Sequence, residues 1–326
     1  MIINIIIAWI HRNSTVQISK KNIAVEEILK TLGLSVGCLK RAFYYTLMLV
    51  ICWIITSFGI NALTLLWLHH RTTLINNIAM IVTFQHPMHV NTSIEMVFTS
   101  SIRDMGLRLK CINRLLLLHS KVKVNNWILN HYQVSSATES YQSEKKNSVT
   151  PSFPEYEAPF QNINKTLNIM KYLHLEINLL CNRIMMLYGF QLCMALSIIF
   201  VVMTCMCYAM WLTVFNPTLT SHERIIRSVV LSGWLLVYVF KFSLINIISA
   251  KTAAEYKRTG EIIHQIAIQS QDKELIENIQ QFSIQIMQNP LTFSPCGFVQ
   301  LGYPLIKNFI ASMTTYLVII IQMSDP

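Results

Sequence analysis

Long uncharged runs alternate along the chain with stretches in which apolar and basic positions interleave. Residues 43–68 and 187–215 carry no charge, while 228–250 carries only Lys241 and 297–322 only Lys307. A helix rising 1.5 Å per residue needs about 20 apolar residues to cross a hydrocarbon core about 30 Å thick, and each run is long enough. The two lone lysines suit either snorkelling to the interface or an aqueous path. The run 74–94 is also uncharged, although Gln85, His86, Pro87, His89 and Asn91 interrupt it. Counting it as a fifth span keeps the basic segments on either side of this pair of runs on one side of the membrane. Residues 1–10 are apolar but too short to cross, and no small-residue cleavage site follows, so they read as the end of a helix.

Between the runs the period changes. Ile102, Met105, Leu109, Ile112 and Leu116 recur at intervals of three and four, with Arg103, Arg108, Lys110 and Arg114 on other faces. This predicts that the helix of the 74–94 run continues beyond the bilayer as an amphipathic rod. Residues 135–159, rich in Ser, Glu, Lys and Pro, show no period and predict a mobile loop. Helix resumes near Gln161 and runs through Leu180 and Arg183 into the next crossing. Residues 255–287 again predict helix, with Leu275, Ile279, Phe282 and Ile286 as one stripe. Packed together and against residues 298–305, these stripes would form a helical cytosolic anchor. The alternative is separate helices lying on the inner leaflet, which Glu274 and Glu277 disfavour.

Composition narrows the class. The 326 residues are 53% hydrophobic and 13% charged, with mean hydropathy +0.43, which excludes an ordinary soluble domain. The expectation is an all-α polytopic membrane helical bundle with cytosolic helical extensions. Lys and Arg gather before residue 43, between 103 and 171, and between 251 and 273. The positive-inside rule then puts the N-terminus and these loops in the cytosol, and the C-terminus outside a plasma membrane. A net charge of +10 reads as attraction to anionic inner-leaflet lipid and not to nucleic acid.

Chemistry is sparse. The eight cysteines form no secreted disulfide framework and read as small buried hydrophobes; Cys205 and Cys207 fall on different helix faces. His86 and His89 share a face at a spacing a metal tolerates, but no third ligand accompanies them, so no metal and no cofactor is expected. The sequons at Asn13, Asn91 and Asn164 read as chance matches under this topology. No phosphate-cradling loop or nucleophile elbow is present, so the chain does not read as an enzyme.

The C-terminal stretch is the most specific. Thr315-Tyr316, five aliphatics over 317–321, then Gln322 resembles the closing signature of insect gustatory receptors: Thr-Tyr, five hydrophobics, Gln-Phe. Met323 stands where that family has Phe. Phe293, Cys296-Gly297-Phe298, Leu301, Tyr303 and Leu305 carry the same register upstream. The similarity runs from about Ala24 to Met323 and is specific only after Pro290. It implies the gustatory and odorant receptor channel fold, with an intracellular N-terminus and seven spans where this chain shows five. Met1 would then fall late in the family's second span.

The resemblance also implies a homo- or heterotetramer in which the last span of each subunit lines a central cation pathway. Ser312, Thr315, Ile319 and Gln322 share one face of the helix expected over 308–323, and such a stripe suits either close helix packing or the wall of a wet pore. By position in the family, Gln322 would face the path and Met323 would take the gating aromatic's place. A ligand pocket opening outward would draw on Asn61, Trp67, Tyr208, Trp211, Trp234 and Tyr238, with Thr64, Thr83 and Gln85 nearby; each aromatic singly also fits an interfacial belt. Expected architecture is then a cytosolic segment with a remnant helix over 1–42, a ligand-sensing bundle over 43–296, and a pore helix over 297–326. The expected function is a taste receptor subunit: a nonselective cation channel opened by a sugar or bitter compound. The rival readings are a nonconducting or truncated family member, and a small-molecule transporter, for which no inverted repeat is found.

Overall fold

The computed structural model describes residues 12–32, 37–68, 74–136, 163–215, 217, 219–268 and 272–324. Within these helices, the side chains of 12–15, 37–42, 66–68, 74, 163, most of 77–87 and 119–136 fall outside the description. All regular structure among the described residues is helical: α1 (Arg12–Thr31), α2 (Gly37–Leu68), α3 (Leu74–Ser136), α4 (Ile163–Phe215), α5 (Ser221–Ile268), α6 (Lys273–Gln288) and α7 (Tyr303–Ser324), with a 3₁₀ turn at Pro295–Gly297. At 1.5 Å per residue, α3, α4 and α5 are each over about 70 Å long, more than twice a bilayer core. Most of the loop expected over 135–159 lies outside the described residues.

The chain divides into two compact units, Met1–Leu107 with Ile177–Ala254 and Leu291–Pro326, and Arg108–Glu176 with Glu255–Pro290. Among the described residues, four helices are long and apolar enough to cross a membrane, over Phe43–Leu65, Asn164–Phe215, Ser221–Ile268 and Tyr303–Ser324. All four overlap expected spans. The expected crossing over 74–94 is helical but is not among them, and many of its side chains are not described.

The first unit packs α2, α3, α4, α5 and α7. Its core holds Phe98, Ile102, Met105, Leu192, Ile199, Phe242 and Ile245. Helices α3 and α5 approach closely at Gly106: a β-carbon there would stand 2.6 Å from the Thr252 hydroxyl oxygen, and that hydroxyl donates to the Ile102 carbonyl at 3.2 Å. Only a residue without a side chain permits the approach.

The second unit is held by Leu109, Ile112 and Leu116 of α3, Leu167, Met170 and Leu173 of α4, Ile262, Ile263 and Ile266 of α5, and Leu275, Ile279, Phe282 and Ile286 of α6, all buried. Both predicted stripes therefore face cores. Asn113 adds a polar tie: its amide donates to the Glu255 carbonyl at 2.9 Å and accepts from the Thr259 hydroxyl at 2.7 Å. His174 is fully buried here, its ring stacked on Tyr256 at 4.3 Å and meeting Phe282 edge-on at 5.4 Å.

Three expectations need correction. The single helix expected over 255–287 is two, because the Asp272 carboxylate accepts the Glu274 and Leu275 N–H groups and caps a new helix. Phe298 does not help anchor the segment; it is 83% exposed, and Phe293 and Leu301 are buried instead. Cysteine burial holds for Cys111 and Cys181, but Cys52, Cys205 and Cys296 are exposed.

Candidate functional site

The last helix is built from its foot. Chain 293–302 closes on itself: the Leu301 N–H donates to the Phe293 carbonyl at 2.8 Å, and the Ser294 hydroxyl to the Val299 carbonyl at 3.0 Å. Gly302 sits at φ 142°, a region that glycine alone enters freely, and its N–H donates to the Asn246 side-chain oxygen of α5 at 3.0 Å. Asn246 is fully buried and is oriented by its own amide, which donates to the Phe242 carbonyl at 2.8 Å. Nearly two turns up α7, Phe309 is wedged between Phe242 at 4.1 Å and Phe200 of α4 at 5.2 Å.

Above Phe309 the helix leaves the chain's own core. It runs 22 residues from Tyr303, longer than the expected 308–323, and Phe309 is its one buried residue. Tyr316, seven residues on from Phe309 and so on the same stripe, still touches Phe200 at 5.7 Å. The motif tyrosine is 54% exposed and meets its own chain through that ring edge. Ser312, Thr315, Ile319 and Gln322 lie roughly a quarter turn round, and all four are exposed. Met323 is exposed as well, and the Thr315 hydroxyl donates back to the Ala311 carbonyl at 3.0 Å.

The described ligand-pocket candidates make different contacts. Tyr208 stacks on Trp211 at 6.1 Å and Trp211 meets Phe215 at 5.5 Å, a row along one face of α4. Asn61 is half-buried on α2, Trp234 is buried on α5, and the side chain of Trp67 lies outside the described residues. Among those described, Tyr238 enters a polar cluster.

That cluster joins α2, α3 and α5 around Lys241, whose ammonium lies 2.9 Å from a Glu95 carboxylate oxygen and donates to the Thr92 hydroxyl at 2.8 Å. The lysine and glutamate side chains are only 8% and 5% exposed. The rings of Trp53 and Tyr238 stand 5.5 Å and 5.4 Å from the ammonium, within cation–π reach. Tyr238 extends its hydroxyl to the Met88 sulfur at 3.2 Å, and His89 lies between the Ser57 hydroxyl at 3.4 Å and the Trp53 ring at 5.7 Å. Lys241 therefore neither snorkels nor faces water: it is neutralised inside the protein. Sequence reasoning missed Glu95, Thr92 and Trp53. The available signal was a pair of opposite charges, one inside an uncharged run and one at the border of another, since ionisable groups at membrane depth seek partners.

The model of the family described as 7tm Chemosensory receptor matches residues 1–325. The chain is similar to gustatory receptor for bitter taste 66a of Drosophila melanogaster, at 24% identity over 161 residues. That match spans 49% of this chain and only 31% of the relative's length. Among solved structures, the insect olfactory receptor OR5 from Machilis hrabei superposes with a TM-score of 0.62, covering 98% of this chain and 78% of that one at 12% identity. The same receptor in complex with eugenol gives a TM-score of 0.55 over 90% of this chain and 70% of that one, at 13% identity. The all-helical architecture is thus the insect olfactory receptor fold.

Proposed function

The chain belongs to the 7tm chemosensory receptor family, and from that premise we propose that it is a gustatory receptor subunit of a ligand-gated, nonselective cation channel in the plasma membrane. The observation that carries this reading is α7, a membrane-length helix fixed at its foot and bare along most of its surface. Its sequence has the closing signature Thr315-Tyr316 to Gln322. Four copies around an axis would turn the stripe of Ser312, Thr315, Ile319 and Gln322 inward. A ring of Gln322 amides replaces part of an ion's hydration shell without fixed charge, which suits weak selectivity among cations. Met323 then supplies an apolar constriction that is softer than an aromatic one.

A small apolar ligand would bind in the bundle of α2, α3 and α5. OR5 accommodates eugenol, a small aromatic molecule, which makes the aromatic surroundings of Tyr238 and Trp53 the preferred place to test. To swing a two-state gate from about 1:99 to 99:1, the ligand must favour the open state by about 5.5 kcal/mol. The chain, expressed alone and with sister subunits in cultured cells, is expected to carry cation current on application of a tastant. Gln322→Ala and Gln322→Glu should change relative permeabilities in opposite senses. Identical permeability ratios in both variants would remove α7 from the pathway.

A further inference from the structure

Among the described residues, one non-glycine position has a left-handed backbone: Cys296, at φ 52°. Such a conformation costs a side-chain-bearing residue on the order of 1 kcal/mol, and it persists only where the surroundings impose it. Cysteine has no intrinsic preference for this region, so the position calls for an explanation. The turn it makes lays residues 295 and 296 across α4 at Gly189. A β-carbon on Gly189 would stand 3.6 Å from the Cys296 backbone nitrogen and 3.8 Å from the Pro295 α-carbon. One helical turn further along the same face of α4 stands Cys193. The two thiols are within hydrogen-bonding reach of one another. Cys296 is exposed and Cys193 half-buried, so one partner is open to a small reagent while the other is sheltered beside it.

We propose that Cys193 and Cys296 form a reversible redox pair that locks the foot of α7 to α4. The co-reactant is a hydroperoxide. The Cys296 thiolate attacks the outer oxygen and breaks the O–O bond, and an alcohol leaves (water, if the oxidant is hydrogen peroxide). Cys296 becomes the sulfenic acid, two electrons more oxidised. The Cys193 sulfur, as thiolate, then attacks the Cys296 sulfur; an S–S bond forms, the S–O bond breaks, and hydroxide leaves as water with the released proton. Overall, two thiols and one hydroperoxide give a disulfide, an alcohol and water. Two equivalents of a cellular thiol return the pair by exchange through a mixed disulfide. The left-handed turn and the bare surface of Gly189 are what bring the sulfurs together across elements separated by more than a hundred residues in sequence. The cross-link ties α4 to the segment that Asn246 already pins to α5, leaving the start of α7 held on two sides. Formation of the bond is independent of the channel proposal; only its effect on current rests on that reading.

The test uses full-length protein in membranes treated with tert-butyl hydroperoxide and then denatured in a maleimide-polyethylene glycol reagent. Wild type is expected to lose two of its eight reactive thiols and to yield a linked proteolytic peptide spanning both cysteines by mass spectrometry, each reversed by dithiothreitol. In Cys193→Ser, Cys296 should stop at the sulfenic acid and be trapped by dimedone; Cys296→Ser should leave Cys193 alkylatable. Should either variant fail to accumulate, the wild-type linked peptide decides alone. Full alkylation of both thiols after oxidation, or Cys296 passing to sulfinic acid with Cys193 still reduced, would overturn the proposal. If the bond forms while currents stay unchanged, the redox pair stands and a gating role for the α7 foot falls.

Discussion

Replacing Lys241 by methionine tests the polar centre of the bundle most directly. Methionine keeps the length and apolar stem of lysine while deleting the ammonium that serves Glu95 at 2.9 Å and Thr92 at 2.8 Å. The glutamate is then left 5% exposed with its cation gone. Removing one partner of a buried pair costs about 3–5 kcal/mol, most of it the penalty of the stranded charge and not the worth of the bond. Glu95→Leu strands the ammonium and should cost a similar amount, softened by the Trp53 and Tyr238 rings beside it. The double variant removes both charges, and replacing a buried pair by apolar groups is commonly neutral or stabilising. A coupling of at least about 2 kcal/mol is therefore expected. At roughly 1.5 °C of melting temperature per kcal/mol for a chain of 326 residues, each single variant should melt about 5–7 °C below wild type. The double variant should recover most of that. Fluorescence-detected size-exclusion melts of the four proteins in one detergent complete the cycle. Single losses that simply add in the double variant, within about 0.5 kcal/mol, would refute a closed ion pair.

Asn246→Leu strands the buried Gly302 N–H at a cost of about 1–3 kcal/mol; hydrogen exchange over 293–302 should rise before the rest of the protein opens. Gly106→Val places a β-carbon against the Thr252 hydroxyl, 2.6 Å from its oxygen, and should destabilise by about 1–3 kcal/mol, with partial rescue by Thr252→Ala in the same melts. His174 belongs to the second unit, ahead of the uncharged run that begins at Leu187, and burial lowers its pKa to about 4, with the Tyr256 backbone offsetting part of the effect. The unfolded chain takes up this proton from about pH 6.5 downward and the folded chain only near 4, so stability should fall between those values by about 3 kcal/mol and level off below. His174→Phe should flatten that portion of an acid unfolding curve.

What the sequence made legible was periodicity. Ile102, Met105, Leu109, Ile112 and Leu116 are all buried because spacing at three and four forces one face of a rod inward, whatever it meets. Partner choice was not legible. Lys241 finds Thr92 across 149 residues and Gly302 finds Asn246 across 56, and no local pattern encodes which helix stands beside which. The break at Asp272 carried a local signal, an N-cap residue followed by Lys-Glu-Leu, but the stripe begun at Leu275 remained apolar and helical in period. Periodicity reports a face and is silent about a short interruption just before it. The aromatic candidates were ambiguous for the related reason that Trp and Tyr satisfy belt, core and pocket alike: Tyr208 and Trp211 stack on each other while Tyr238 turns to Lys241.

The contrast between the foot and the shaft of α7 has a mechanical consequence. The foot is held by a hydrogen bond from a glycine and by one phenylalanine wedged between two others, contacts confined to the first two turns. The remaining shaft, about 20 Å beyond Phe309 at 1.5 Å per residue, touches its own chain through Tyr316 and little else among the contacts described. A rigid rod pinned at one end converts a small rotation at the pin into a displacement that grows along its length. A tilt of about 10° at Phe309 moves the level of Gln322 by roughly 3 Å, about the diameter of a water molecule. Phe242 and Asn246, which hold the pin, lie on α5 immediately after Lys241 and little more than one turn beyond it. Under the proposed channel reading, a ligand that shifted α5 at the Tyr238 and Lys241 cluster would act on the rod's fulcrum through the same helix, without touching α7 itself.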